Sequence, residues 1–177
     1  MGKKFFLIII LALILFPKPV IAEKIAGNSA LLTSVSIDNT QSLANFKQKI
    51  AIRKVLQKWQ SPLVDSVDDF ITACNKYNLD CYLLPSITGI ESSFGKHIYP
   101  NSNNPFGWGR GLIMFEDWAE AIDTVGKGLR ENYYNKGAET IEDVGRIYCE
   151  GNTWAGKVRF FMNEFKKEED KIQLFST

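Results

Sequence analysis

Histidine is almost missing from this chain: His97 stands alone, beside three cysteines and three methionines in 177 residues. No cysteine or second histidine lies at ligand spacing from it, so no metal site is expected and no cofactor is called for. Charge of one sign is not in excess either. The chain has 21 Lys and Arg against 20 Asp and Glu, a formal net charge of +1, which is not the strongly basic footprint of a nucleic-acid binder. Convincing strand alternation and internal repeats are also absent, which directs the reading towards helices.

What is present begins with Met-Gly-Lys-Lys, an apolar block from Phe5 to Phe16, and Val20-Ile21-Ala22. The block is too short for a standard span of about 20 residues. Residues 1–22 read as a secretory signal peptide cut after Ala22; Pro17, Lys18 and Pro19 weaken the cleavage region and leave an uncleaved membrane anchor as the alternative. Either way the working part is expected outside the cytoplasm, secreted or in the cell envelope. Cleavage would remove Lys3, Lys4 and Lys18, leaving 155 residues with 18 basic against 20 acidic side chains, a net charge near −2. That length suffices for one domain with a core. It does not set an oligomeric state.

Three cysteines in an exported chain allow one disulfide. Cys74 and Cys81 flank a predicted turn, Asn75 to Asp80, and a bond between them would leave Cys149 free; other pairings stay open.

Residues 23–41, rich in Ser, Thr, Asn and Ala, show no sustained period and read as a linker. Residues 42–65 hold an N-terminal helix, with Leu43, Phe46, Ile50, Val55, Leu56 and Trp59 at helical spacing, ended by Ser61-Pro62. Ser66 with Asp69 resembles a capping box for a second helix through Phe70, Ile71, Cys74 and Tyr77, with Asn78 as a left-handed stop. Asp80 can cap a third, in which Pro85 implies a late start or a bend and Gly89 implies a neighbour packed against the backbone.

On that third helix Leu83, Ile87, Ile90 and Phe94 form an apolar stripe, and Glu91 falls at its edge. A carboxyl group partly withdrawn from water resists ionisation, which suits a general acid. The loop from Gly95 to Gly111 is dense in amides and aromatics, among them Asn104, Phe106 and Trp108. Amides read hydroxyl and acetamido groups by paired hydrogen bonds, and flat rings stack on sugars. A long helix follows through Trp118, Ile122, Val125, Leu129 and Tyr133, stopped near Gly137. On another of its faces Glu116, Glu120 and Asp123 read as a solvated row. Thr140 opens a short helix to Tyr148, and Thr153 opens the last one, carrying Trp154, Val158, Phe161, Met162 and Phe165; residues 166–177 read as a solvated tail. The expectation is an all-α domain, with a loop or small hairpin near Tyr99 to Phe115 lining a cleft.

Leu83 to Gly95 resembles the catalytic-glutamate helix of the lysozyme-like superfamily, especially soluble lytic transglycosylases and bacterial glucosaminidase domains. Asn103-Asn104-Pro105-Phe106-Gly107-Trp108-Gly109 is similar to the Asn-Leu-Phe-Gly block of those glucosaminidases. Ile147-Tyr148 followed by Trp154-Ala155 and Val158 is similar to their late tyrosine motif. The resemblance spans about residues 66–165 in order. It implies a lysozyme-like fold, α+β at most, and cleavage of β-1,4 bonds between N-acetylated amino sugars, most naturally in peptidoglycan or a related glycan. It further implies Glu91 as general acid, Tyr148 lining the catalytic subsite, and Asn104, Phe106 and Trp108 in the substrate-binding wall. Pro105 in place of Leu, and Cys149-Glu150 in the late motif, depart from the pattern.

Glycosidases commonly use two carboxylates. The candidates for the second are Glu116, Asp117 and Glu120; otherwise the substrate's acetamido group takes part, or a lytic transglycosylase route closes an anhydro ring. A non-catalytic glycan-binding module and a purely structural helical domain are the alternatives from other classes.

Overall fold

The computed structural model describes residues 20–148 and 153–172, with side chains from residue 39 onward. Six α-helices make up the fold: α1 Val20–Lys58, α2 Val67–Tyr77, α3 Leu83–Ser92, α4 Trp118–Asn132, α5 Ile141–Tyr148 and α6 Trp154–Asp170. Short 3-10 turns occupy Pro62–Ser66 and Tyr134–Lys136, and no strand occurs among the described residues. The expected hairpin is therefore a loop. The expected leader and anchor fall almost wholly outside the described residues, as do Cys149 and Glu150. Among the described residues no helix is long and apolar enough to cross a membrane.

Two units divide the chain, Met1–Thr40 and Gln41–Thr177. The described part of the first is helix, which corrects the linker expected over 23–41. That segment is proline-free, but it is rich in Ser, Thr and Asn and carries Gly27, so neither an amphipathic period nor residue propensity marks it as helical. In the second unit α1 buries Ala51, Ile52, Val55 and Leu56, whereas Leu43 and Phe46, expected on its apolar face, are exposed.

Within that unit α2 pairs with α4, α3 with α6, and α5 with α6. Helix α3 is the element the others surround, buried from Leu83 to Gly89 and again at Ser92. Its sequence explains this, because Leu83, Leu84, Ile87, Thr88 and Gly89 offer no charge until Glu91. Starting at Leu83 places Pro85 in the first turn, where its missing N–H has no helical partner to lose. Tyr82 is the N-cap residue, and Asp80 holds the preceding turn by accepting the Tyr82 N–H at 2.8 Å. Cys74 is bonded to Cys81 across this turn, and Asn78 adopts the left-handed conformation that ends α2. Gly89 faces an aromatic cluster: a Cβ there would sit 2.7 Å from Phe94 and 3.1 Å from Phe161.

Two caps differ in outcome. Ser66 begins α2 without a side-chain hydrogen bond, while Ser61 accepts the Leu63 N–H at 3.0 Å and caps the preceding 3-10 turn instead. Thr140 and Asp143 form a reciprocal capping box at the start of α5, and those hydrogen bonds to Thr140 pull the Asp143 carboxyl down to about 2. At the other end of the chain α6 runs through Lys166 to Asp170 and Ile172 packs on the core, so the expected tail is helical for its first five residues.

Candidate functional site

Helix α3 ends at Ser92, and Ser93, Phe94 and Gly95 follow in the left-handed region. The reversal turns Phe94 into the core and leaves Glu91 on the last turn with an exposed side chain. This corrects the expectation that Glu91 is partly withdrawn from water, since its stripe neighbours turn inward while the chain beyond it folds away.

The Ser92 hydroxyl lies 2.7 Å from the Pro105 carbonyl, with the Thr88 carbonyl at 3.1 Å, and accepts the Gly95 N–H at 2.8 Å. It thereby fixes the 105–110 loop against the end of α3. Gly107, at φ +65°, comes so close that a Cβ there would be 3.6 Å from the Glu91 carboxylate.

Asn104 builds this loop rather than facing a ligand. Its amide donates to the carbonyls of Trp108 and Ile113 at 2.8 and 3.1 Å, its oxygen accepts the Trp108 N–H at 3.1 Å, and it is 2% exposed. Phe106 is likewise buried, and what it offers the cavity side is its backbone: the carbonyl accepts the Tyr148 hydroxyl at 3.1 Å. The substrate-contacting role expected of both side chains is thus replaced by support of the wall. Trp108 does line the cavity, its indole N–H donating to the Tyr148 oxygen at 3.1 Å.

Tyr148 stacks on Trp154 at 4.8 Å between centroids, and the Trp154 indole N–H donates to Glu91 Oε1 at 3.0 Å. Helices α3, α5, α6 and the loop therefore meet in one linked set: Trp108 to Tyr148 to the Phe106 carbonyl, and Trp154 to Glu91. Of this set Glu91, Phe106, Trp108 and Tyr148, together with Gly107, Gly109, Arg110 and Tyr133, line a cavity of about 510 Å³, and Trp154 reaches it through its hydrogen bond to Glu91. Glu91 is its carboxylate and Arg110 its cation among the described lining residues. Burial pushes the Tyr133 phenol up.

Sequence reasoning missed three of these residues. Trp154 and Tyr133 look like core positions by spacing, and Arg110 carries only a cation in a loop. Arg110 adopts a left-handed φ of 60° between Gly109 and Gly111 and is among the residues lining the cavity.

The second-acid candidates are occupied elsewhere. Asp117 caps α4 by accepting the Glu120 N–H at 2.8 Å, and Glu120 accepts the Glu116 N–H at 2.6 Å. None of the three lines the cavity. Asp123, expected on a solvated row, bridges to Lys76 at 2.7 Å and Tyr77 at 2.9 Å, tying α4 to α2. Among the described residues no group of three His, Cys, Asp or Glu side chains is placed to hold a metal ion.

Gly128 matters to this wall. A Cβ there would overlap the far edge of the Trp108 indole. Gly128→Ala is expected to expel the ring from α4 and change the Trp108 environment, while the better helix propensity of alanine offsets part of the steric cost. Paired tryptophan fluorescence and melting curves check this: unchanged spectrum and melting temperature would mean the close approach of Trp108 to α4 is immaterial.

No family profile matches the chain, and no curated protein matches it.

Proposed function

We propose that the chain is an exported cell-wall glycosidase that cleaves β-1,4 bonds between N-acetylated amino sugars of peptidoglycan, with Glu91 as general acid. The observation that carries the reading is Glu91 as a carboxylate of an aromatic-walled cavity, beside Trp108, Tyr133 and Tyr148. Its volume of about 510 Å³ lies within the roughly 300–1,000 Å³ usual for small-ligand sites. Rings at this spacing offer faces for sugars, and a glycan seated against them would displace water from Glu91 and aid proton delivery to the leaving oxygen. The Trp154 N–H orients the carboxylate. Tyr148, its hydrogen engaged by Phe106, holds the wall and suits a position facing developing positive charge.

Because Glu116, Asp117 and Glu120 serve the start of α4, the reading favours routes that need one protein carboxylate. Those are participation by the substrate's acetamido group, and a lytic transglycosylase route in which the muramyl sugar closes an anhydro ring. The Cys74–Cys81 bond agrees with an oxidising compartment.

Mass spectrometry of fragments released from purified peptidoglycan tests this. Reducing ends mean hydrolysis and anhydro ends mean transglycosylation. Sedimentation with the wall and no released fragments would replace the enzyme by a glycan-binding module.

A further inference from the structure

The Glu91 cavity holds a cation that acid catalysis does not use. Arg110 is among its lining residues and is exposed, so its guanidinium is open to a ligand there. Other arginines are engaged within the protein: Arg130 donates to the Tyr77 and Asn78 carbonyls, Arg146 pairs with Asp143, and Arg159 pairs with Glu142. Arg110 has no such contact among the described residues, with Glu91 or with any other carboxylate. Two further donors of the lining are spent, the Trp108 indole N–H on the Tyr148 oxygen and the Tyr148 hydroxyl on the Phe106 carbonyl.

The backbone gives no reason for arginine at this place. Its φ of 60° lies in the left-handed region, where a Cβ is disfavoured and glycine or asparagine fits better. The turn closes through the main chain: the Gly111 N–H donates to the Gly107 and Trp108 carbonyls, and the Leu112 N–H to that of Gly109. Asn104 ties the two sides of the turn through the Trp108 and Ile113 carbonyls. The loop that bears Arg110 is therefore held against Glu91 without help from the arginine side chain. A strained residue that its surroundings do not need points to a use elsewhere.

The guanidinium names the ligand group, because its planar fork matches the two oxygens of a carboxylate. Glu91 sets the direction, since an ionised acid on the ligand is drawn to Arg110 and repelled by the Glu91 carboxylate. Resting on the reading of this cavity as an amino-sugar site, we infer that Arg110 is a specificity-determining residue that pairs with a free carboxylate carried on the bound sugar, favouring acidic amino sugars over neutral ones. In peptidoglycan the group of that kind is the lactyl carboxylate of a muramyl sugar that carries no peptide. The sugar then lies with its acid at Arg110 and its glycosidic oxygen towards Glu91.

The test is an NMR titration of the full chain, disulfide intact, with the methyl glycoside of N-acetylmuramic acid and the same glycoside with its carboxylate converted to the carboxamide. The acid is expected to bind about five- to tenfold more tightly than the amide, and the ratio to shrink as salt is raised from about 0.05 to 0.5 M. Arg110→Asn, which suits the left-handed backbone and removes the charge, is expected to bind both probes alike and to melt no lower than the parent. Arg110→Lys keeps the charge without the fork and is expected to retain part of the preference. Equal binding of acid and amide by the parent, no saturable binding of the acid, or an undiminished preference in Arg110→Asn would overturn the inference. A lower melting temperature for Arg110→Asn would overturn it too, by showing that the side chain holds the loop. Fragment release from peptidoglycan is scored separately. Release with equal binding of the two probes sinks the role of Arg110 and leaves the glycosidase standing, whereas a preference for the acid with no release upholds Arg110 and sinks the enzyme.

Discussion

Glu91→Gln is expected to lower the rate of fragment release from purified peptidoglycan by about 10²- to 10⁴-fold, the range spanned by general acid catalysis. The substitution keeps the volume and an oxygen able to accept the Trp154 N–H, so the link between α3 and α6 persists. What disappears is the proton that the leaving glycosidic oxygen needs. The variant should still sediment with the wall, because the rings of Trp108, Tyr133 and Tyr148 are untouched. Asp117→Asn is the companion variant: asparagine is an equally good N-cap, so activity should stay near that of the parent. Full activity in Glu91→Gln would sink the proposed reaction, and loss of activity in Asp117→Asn would return that carboxylate to the chemistry.

The largest effect on stability is expected from Phe94→Ala, about 3–5 kcal/mol by urea denaturation at unchanged slope. Phe94 is fully buried and meets Trp59, Phe161 and Phe165 at centroid distances of 5.5, 5.0 and 6.2 Å. Its backbone is held as firmly, with the N–H donating to the Thr88 carbonyl and the carbonyl accepting the Ser61 hydroxyl. Alanine at this place leaves a void among four elements that cannot all collapse into it. A loss below about 1 kcal/mol would show that the cluster relaxes freely and does not anchor the end of α3.

Local signals were legible in the sequence where one residue type meets one backbone requirement. Asn78 stops α2 in the left-handed region, Thr140 pairs with Asp143, and Gly89 admits Phe94 because a side chain would not fit. The six helices follow from period and punctuation, and the all-α architecture with them. Direction was harder. Asn104 has the chemistry to read a sugar, yet its amide closes on Trp108 and Ile113, and no property of the residue type distinguishes those uses. Trp154 sits on an apolar stripe and is 4% exposed, so periodicity places it in the core; its indole N–H still reaches Glu91 across 63 residues of chain. Ser61 and Ser66 are the N-cap residues of adjoining turns, and of the two Ser61 makes the side-chain hydrogen bond. The helical conformation of residues 23–41 escaped because that Ser-, Thr- and Asn-rich segment has neither an amphipathic period nor high helix propensity.

The Cys74–Cys81 bond joins residues only seven apart in sequence. In the chain-entropy account, a ring this small restricts the unfolded ensemble by about 2.5 kcal/mol, near the low end for disulfides. Its larger effect concerns the search for the native state. The tie keeps the end of α2 beside the entrance to α3 even in a disordered chain, so the loop closure that brings these two helices together is made before folding begins. Folding of the oxidised chain then starts from a preformed corner, and the contacts left to find are those that carry α4 onto α2 and α3, α6 onto α3, and α5 onto α6.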